Sequence, residues 1–325
     1  MIEINGINKN FGTKHVLKDV TFNVAEGEIM GFLGPNGAGK TTTLNILTGY
    51  LSATSGTAKI DGTDILEKPL EAKSKIGFLP EQPPLYTDMT VKEYLNFVYS
   101  LKNCRIPRAQ HIKEICDVVR IGDVYNRIIK NLSKGYRQRV GIAQALIGNP
   151  KVLIFDEPTV GLDPKQIIEI RNLIKLLGKE HTVILSTHIL PEVQAVCDRI
   201  VVINQGVIVA NEKTEDLINA VEGSRRLIAK IVGPTDEVIK MLRSTPGIKF
   251  AEEIGRRDTD SVSYMLESED KVDIRKPLFY NLARNGWPLI GLEGMELNIE
   301  DIFIRLIDHD KEKGKKGAGK GGSRK

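Results

Sequence analysis

The spacing of apolar and polar residues changes along the chain and marks where strands and helices are predicted. Residues 19–24 alternate, with Val20, Phe22 and Val24 on one side, which is typical of a half-buried strand. Continuous apolar runs predict parallel strands that are covered on both faces, at residues 28–33, 152–155 and 183–185. Two short strands that end at turn residues are predicted at 57–60 and 76–79.

Helical patterns replace the strands between residues 90 and 148. Thr90 can cap the first of these helices, and Glu93 completes a capping box with it. Beyond Pro150 the strands return, with a helix predicted over 166–177. This order predicts an α/β core that is interrupted by a helical insertion at about residues 85–150.

A second domain is predicted from residue 223 onwards. The pattern predicts, in chain order, strand 227–232, helix 236–243, strands 248–254 and 262–266, helix 272–284 and strand 288–292. The β-α-β-β-α-β order is that of a ferredoxin-like unit, a small α+β fold. A final helix is predicted over 299–307. We therefore expect domains at 1–222 and 223–310, followed by a tail at 311–325.

The most specific motif is G-x-x-x-x-G-K-[ST], which runs here from Gly34 to Thr41. It follows a buried strand and precedes a helix, so backbone N–H groups and a helix N-terminus can converge on a polyphosphate. Lys40 would reach the β/γ-phosphates, and the Thr41 hydroxyl would hold Mg²⁺. Read alone, the glycines could also form an ordinary turn. The nucleotide-binding residues expected here are Gly34, Pro35, Asn36, Gly37, Ala38, Gly39, Lys40, Thr41 and Thr42.

Two adjacent carboxylates, Asp156 and Glu157, end the apolar strand at 152–155. In a nucleotide site the first acid can hold Mg²⁺ through water, and the second can orient the attacking water. Alone, the pair could equally be a strand end that faces solvent. The phosphate loop upstream favours the nucleotide role.

The run Leu-Ser-Lys-Gly-Tyr at 132–136 places Ser133 and Gly135 at the start of a helix that is predicted to reach residue 147. Ser133 can be an N-cap, and a Ser–Gly pair at a helix N-terminus can also bind an anion. Here the chain resembles the ATP-binding cassette (ABC) ATPases, whose signature commonly reads Leu-Ser-Gly-Gly-Gln. The serine and the second glycine are kept, whereas the third and fifth positions differ. The resemblance covers about residues 2–221.

Four further positions match that family in their order along the chain. Phe11 matches the aromatic residue that stacks on adenine, and Gln82 matches the loop glutamine that senses Mg²⁺ and the attacking water. Asp163 ends a Gly-Leu-Asp run that matches the loop across the dimer interface, and His188 matches the histidine that contacts the γ-phosphate. Taken singly, these residues could be a core aromatic, a surface glutamine, a turn and a structural histidine. Their shared order favours the family.

The resemblance implies a P-loop NTPase fold of the ABC type. Such a cassette has a RecA-like α/β core, an antiparallel β subdomain and an α-helical insertion. It also implies that two copies of the chain dimerise on ATP, with Ser133 and Gly135 of one copy completing the nucleotide site of the other. Asp163, in the loop across the dimer interface, is expected as a further nucleotide-binding residue.

The same resemblance assigns roles in ATP hydrolysis, an in-line attack of water on the γ-phosphorus. Glu157 would be the base or water-orienting group, and the developing charge would be stabilised around it. The implied catalytic residues are Glu157, His188, Gln82 and Lys40. The implied ligands of Mg²⁺ are Thr41, Gln82 and Asp156.

Composition narrows the class of protein. The 325 residues are 41% hydrophobic and 27% charged, as is ordinary for a soluble globular protein. Three cysteines without C-x-x-C spacing favour free thiols in a reducing cytosol over a disulfide framework or a zinc site. The sequence has neither a signal-peptide pattern nor the roughly 20 apolar residues that span a bilayer. Membrane contact is therefore expected through a partner.

The formal net charge of +4 arises from the C-terminal tail. Residues 311–325 carry seven Lys and Arg residues against one Glu, a local charge of +6, which leaves −2 on the rest of the chain. A nucleic-acid-binding body is therefore not expected. The tail is predicted to be disordered, either as a solubilising segment or as a weak contact to an anionic membrane surface.

Within the ABC family, the signature region and the C-terminal domain resemble the ABC-2 or drug- and polysaccharide-export type, and in particular its gliding-motility-associated ATP-binding subunit. This implies a cytoplasmic subunit, peripheral on the inner face of a bacterial cell membrane, that drives integral membrane permease subunits. The alternative is a soluble, non-transport ABC ATPase that remodels ribosomes or DNA. Such proteins usually carry two cassettes or a long coiled-coil insertion. One phosphate loop and the lack of a long heptad run favour the transporter.

Overall fold

A computed structural model of the chain describes residues 1–216, 226–255, 260–269 and 272–294. The chain divides into two units, one built from Met1–Thr214 and one that spans Glu215–Arg305. The boundary predicted after residue 222 lies outside the described residues. The same holds for the predicted final helix at 299–307 and for the basic tail.

The first unit alternates strands and helices. In chain order it contains β1 (Ile2–Phe11), β2 (Lys14–Val24), β3 (Ile29–Leu33), α1 (Lys40–Leu47), β4 (Ser55–Ile60), β5 (Thr63–Asp64), α2 (Pro69–Ser74), β6 (Ile76–Leu79), α3 (Val91–Leu101), α4 (Arg108–Val119), α5 (Lys134–Leu146), β7 (Val152–Asp156), α6 (Pro164–Leu177), β8 (Thr182–Thr187), α7 (Leu190–Val196), β9 (Arg199–Asn204) and β10 (Val207–Lys213). A four-stranded antiparallel sheet has the order β2-β1-β4-β5. A six-stranded sheet has the order β10-β9-β3-β8-β7-β6, in which β10 alone is antiparallel to its neighbour. The predicted α/β core with an antiparallel subdomain is confirmed.

The central strands of the parallel sheet position the site. All residues of β3, β7 and β8 are buried, because both faces of such a sheet are covered. The carboxyl ends of parallel strands meet at one edge of the sheet, where ligands bind in folds of this kind. The phosphate loop follows β3, Glu157 follows β7 and His188 follows β8. The topology therefore brings three distant motifs to one edge.

The insertion is helical, as its sequence pattern predicts. Thr90 and Glu93 form the capping box at the start of α3, with the Thr90 N–H donating to Glu93 Oε2 at 2.8 Å and the Glu93 N–H donating to Thr90 Oγ1 at 3.2 Å. After α3, the amine of Lys102 donates to Ile147 O at 2.8 Å, in a partly buried hydrogen bond at the end of α5. Burial lowers the pKa of Lys102 to about 8. Lys102 thus anchors the C-terminal end of the helix whose first turn carries the signature residues.

A glycine in β3 allows α7 to lie close to the sheet. A Cβ added at Gly31 would stand 1.9 Å from Val193 Cγ1 of α7, closer than any real contact. Glycine is therefore the residue that this approach requires. The contact brings α7, which follows His188 in the chain, against the strand that leads into the phosphate loop.

The second unit is a small α+β domain. It contains β11 (Arg226–Ile231), α8 (Thr235–Ser244), β12 (Ile248–Gly255), β13 (Val262–Ser268), α9 (Arg275–Arg284) and β14 (Leu289–Gly294). Its antiparallel sheet has the order β12-β13-β11-β14 around a separate apolar core. This element order and pairing are those of a ferredoxin-like unit. Helix α9 begins at Arg275, later than predicted, because the Asp273 side chain accepts a hydrogen bond of 3.1 Å from the Arg275 N–H and forms a turn there.

Across the described parts of both units, no helix combines the length and the apolar character needed to cross a bilayer.

Candidate nucleotide-binding site

The phosphate loop joins β3 to α1 through backbone conformations that favour glycine. Gly37 and Gly39 have φ angles of 78° and 112°. A Cβ at Gly34 would lie 2.4 Å from the backbone oxygen of Ile203. Helix α1 begins at Lys40, directly after this loop. Its first-turn N–H groups have no acceptor within the helix, and together with the helix dipole they form a binding site for an anion.

Lys40 lies between the phosphate loop and the carboxylates. Its side chain is only 6% exposed. The amine donates to Gly34 O at 2.7 Å and to Pro35 O at 3.4 Å, and it lies 3.3 Å from Glu157 Oε1. One ammonium group therefore contacts both the loop and the carboxylate at the end of β7, where a terminal phosphate group would bind.

Thr41 and Asp156 form an oxygen-rich corner beside the loop. The Thr41 hydroxyl donates to Asp156 Oδ2 at 2.8 Å. Burial raises the pKa of Asp156, whereas the hydrogen bond from Thr41 favours the carboxylate form. Within the described chain, Asp156 Oδ1 is buried without a hydrogen-bond partner. A hydroxyl next to a carboxylate oxygen without a partner fits Mg²⁺, which binds oxygen ligands.

Glu157 follows in an unusual backbone conformation. Its φ angle is 49°, in the left-handed region that non-glycine residues rarely adopt. Its N–H donates to Ser186 O of the adjacent strand at 3.0 Å. The carboxylate is buried and lies 2.9 Å from His188 Nδ1. Such conformations cost about 1–3 kcal/mol and cluster at active sites. Glu157 and His188 therefore form a pair that the surrounding structure holds in place.

Lys40, Thr41 and the Glu157–His188 pair line one cleft of about 510 Å³. The predicted site residues Gly34, Ala38 and Asp156 are not among its lining residues. Its walls are formed by Phe11, Lys14, Val16, Pro35, Asn36, Gly37, Gly39, Lys40, Thr41, Thr42, Glu81, Glu157, Val160 and His188. Phe11 is 47% exposed, and Lys9 Nζ lies 5.0 Å from the centre of its ring. Phe11 is therefore an accessible aromatic surface at the cleft and not a core residue.

Some lining residues are absent from the sequence prediction. Lys14 and Val16 belong to β2, and Val160 lies in the loop after β7; no motif marks these positions. Gln82, the predicted residue after β6, is exposed and is not part of the lining, whereas its neighbour Glu81 is. The predicted roles of Gln82 as a catalytic residue and as a metal ligand stay predictions.

Ser133, Gly135 and Asp163 are not among the residues that line this cleft. Ser133 is exposed and caps α5, with its Oγ accepting a hydrogen bond of 3.3 Å from the Tyr136 N–H. Asp163 caps α6 by accepting a hydrogen bond of 2.9 Å from the Gln166 N–H. A Cβ at Gly135 would meet the Gln166 side chain at 2.6 Å. The first turns of α5 and α6 are thus packed together and present one exposed polar edge.

Comparison with known proteins gives consistent matches. A family model described as ABC transporter matches residues 17–160. The linearmycin resistance ATP-binding protein LnrL of Bacillus subtilis (strain 168) is 33% identical over 318 residues, which are 94% of this chain and 98% of LnrL. The lantibiotic transport ATP-binding protein SrtF of Streptococcus pyogenes is 36% identical over 226 residues, 67% of this chain and 96% of SrtF. The dimeric post-hydrolysis structure of the ATP-binding cassette MJ0796 with ADP and Pi has a TM-score of 0.60 and 29% identity, covering 66% of this chain and 99% of that one.

Proposed function

Because this chain belongs to the ABC transporter family, as an ATP-binding subunit that hydrolyses ATP, we propose that two copies of it form the working ATPase. The observation that carries this proposal is the separation of two half-sites on one chain. The cleft holds the phosphate loop and the Glu157–His188 pair. Ser133 and Asp163 are exposed but are not among the lining residues, and Gly135 is buried. The exposed polar edge at the first turns of α5 and α6 is called the Ser133 edge. A second copy can bring its own Ser133 edge to the cleft. The dimeric arrangement of the similar cassette MJ0796 supports this geometry.

The residues at the cleft fit hydrolysis that requires Mg²⁺. Thr41 and Asp156 would hold the ion, which would neutralise charge on the β- and γ-phosphates. Lys40 would bind the same phosphates from the loop side. Glu157 would accept a proton from the attacking water or orient it, and His188 would support the carboxylate and contact the γ-phosphate.

We further propose that the dimer drives an exporter. LnrL and SrtF, which are named for linearmycin resistance and lantibiotic transport, favour export as the work that is coupled to ATP. The partner would be an integral membrane permease, and the ATPase would lie on the cytoplasmic face of the membrane. Neither relative is named for gliding, so the link to gliding motility stays a prediction. The ferredoxin-like second unit would stabilise the dimer or regulate it.

Purification with native partners tests the export proposal. The tagged chain is expressed at its native level, membranes are extracted in mild detergent, and the copurifying proteins are identified by mass spectrometry. We expect a polytopic membrane protein in an amount comparable to the tagged chain. We also expect that deleting this membrane protein makes one compound accumulate inside the cell or makes the cell sensitive to it. Cofractionation with ribosomes, with no membrane protein retained, would contradict the proposal and would favour the non-transport alternative.

A further inference from the structure

A buried carboxylate outside the cleft joins two segments that lead into the catalytic pair. Glu192, in the first turn of α7, is 1% exposed. Its Oε1 accepts a hydrogen bond of 2.6 Å from Thr159 Oγ1, and its Oε2 accepts one of 2.9 Å from Thr187 Oγ1. Arg171 of α6 lies 3.8 Å from Oε1. A carboxylate is costly to bury unless it is paired and hydrogen-bonded. These surroundings therefore satisfy a charged group.

Both hydroxyl partners of this carboxylate lie within two residues of a predicted catalytic residue in the chain. Thr159 follows Glu157 by two residues. Thr187 ends β8 and directly precedes His188. Glu192 consequently ties the loop after Glu157 to the strand end that carries His188. Both hydroxyl groups are buried, so solvent does not compete for these two bonds.

We propose that Glu192 is a positioning residue for ATP hydrolysis, which acts through the Glu157–His188 pair without touching the nucleotide. The pair needs such support, because the left-handed backbone of Glu157 persists only where neighbouring contacts determine it. The bond to Thr159 fixes the loop on one side of the pair, and the bond to Thr187 fixes the other side. Displacing a catalytic group by about 1 Å can cost about a hundredfold in rate.

Two substitutions at one position test the role. Glu192→Leu removes both acceptors at similar volume, whereas Glu192→Gln keeps the shape and one acceptor oxygen. We expect Glu192→Leu to lower kcat at least about tenfold, with the Kd for ATP changed by less than about threefold. Glu192→Gln should retain most of the activity. Glu28→Gln is the matched control: the Glu28 carboxylate pairs with Arg199 at 2.6 Å, just before β3 and away from the cleft, so kcat should stay unchanged.

A double-mutant cycle with His188→Ala distinguishes positioning from a structural role. If Glu192 acts through the pair, adding Glu192→Leu to His188→Ala should lower kcat by no more than about twofold. Losses that multiply in the double variant, or a parallel loss of ATP affinity in Glu192→Leu, would overturn the proposal.

Variants of Thr159 and Thr187, the two hydroxyl partners, test the same role if Glu192→Leu does not fold. Thr159→Val and Thr187→Val each remove one hydroxyl at nearly constant shape. At least one of them should reproduce the loss of kcat with ATP binding retained. Wild-type kcat in both variants would equally overturn the role of Glu192.

Discussion

The Glu157→Gln variant should bind ATP as the native chain does and hydrolyse it at least about tenfold more slowly. Glutamine keeps the shape of the side chain and one acceptor oxygen for Lys40 or His188, which lie 3.3 Å and 2.9 Å from the carboxylate. It cannot accept a proton from water. Binding is measured by titration with ATP, and turnover by phosphate release at saturating ATP.

The two measurements distinguish an effect on the hydrolysis step from an effect on ATP binding. Glu28→Gln serves again as the control, because it also neutralises an ion-paired, largely buried carboxylate but lies away from the cleft. Native turnover in Glu157→Gln would remove Glu157 from the proposed role. A loss of ATP affinity equal to the loss of turnover would instead indicate that the carboxylate holds the nucleotide site together.

The Lys40→Ala variant should lose affinity for ATP. The amine of Lys40 is nearly buried and lies between the loop carbonyls and Glu157, where a bound phosphate would accept its charged hydrogen bonds. Such bonds contribute about 1.5–3 kcal/mol, which corresponds to a Kd raised about 10- to 150-fold. A calorimetric or fluorescence titration with ATP measures the change.

Lys40→Arg is the variant to compare with Lys40→Ala. It keeps the positive charge but places a larger planar group in a nearly closed space, so partial rescue at best is expected. An unchanged nucleotide titration in Lys40→Ala would contradict the account of the loop. Thermal unfolding of each variant shows whether the fold is kept.

Features that depend on neighbouring residues were predictable from the sequence. The capping box of Thr90 and Glu93 needs only one turn of helix, and the glycine loop needs only its own backbone. The carboxylates at 156–157 could be placed at the sheet edge because an apolar run precedes them. The fold of the first unit followed from the order of such local patterns, and the resemblance to the ABC family joined these positions into one site.

Features that depend on tertiary contacts were not predictable in this way. The direction in which the chain turns after β6 places Glu81 in the cleft lining and leaves Gln82 outside it. Glu192 and Thr159 are 33 residues apart, and their contact exists only because α7 packs against the sheet. Neither pattern nor motif marks these partners.

The central claim is that ATP is held between the phosphate loop of one copy and the Ser133 edge of the other. Sedimentation with ATP and Mg²⁺ tests it in the slow Glu157→Gln background, which should dimerise on ATP. Adding either Lys40→Ala or Ser133→Arg should leave each doubly substituted chain monomeric. An equimolar mixture of these two chains should form dimers. In the mixed dimer one of the two ATP sites is intact, because it combines the native Lys40 of one chain with the native Ser133 of the other. A mixture that dimerises no more than its separate components, or a Ser133→Arg chain that dimerises as fully as its parent, would contradict the account.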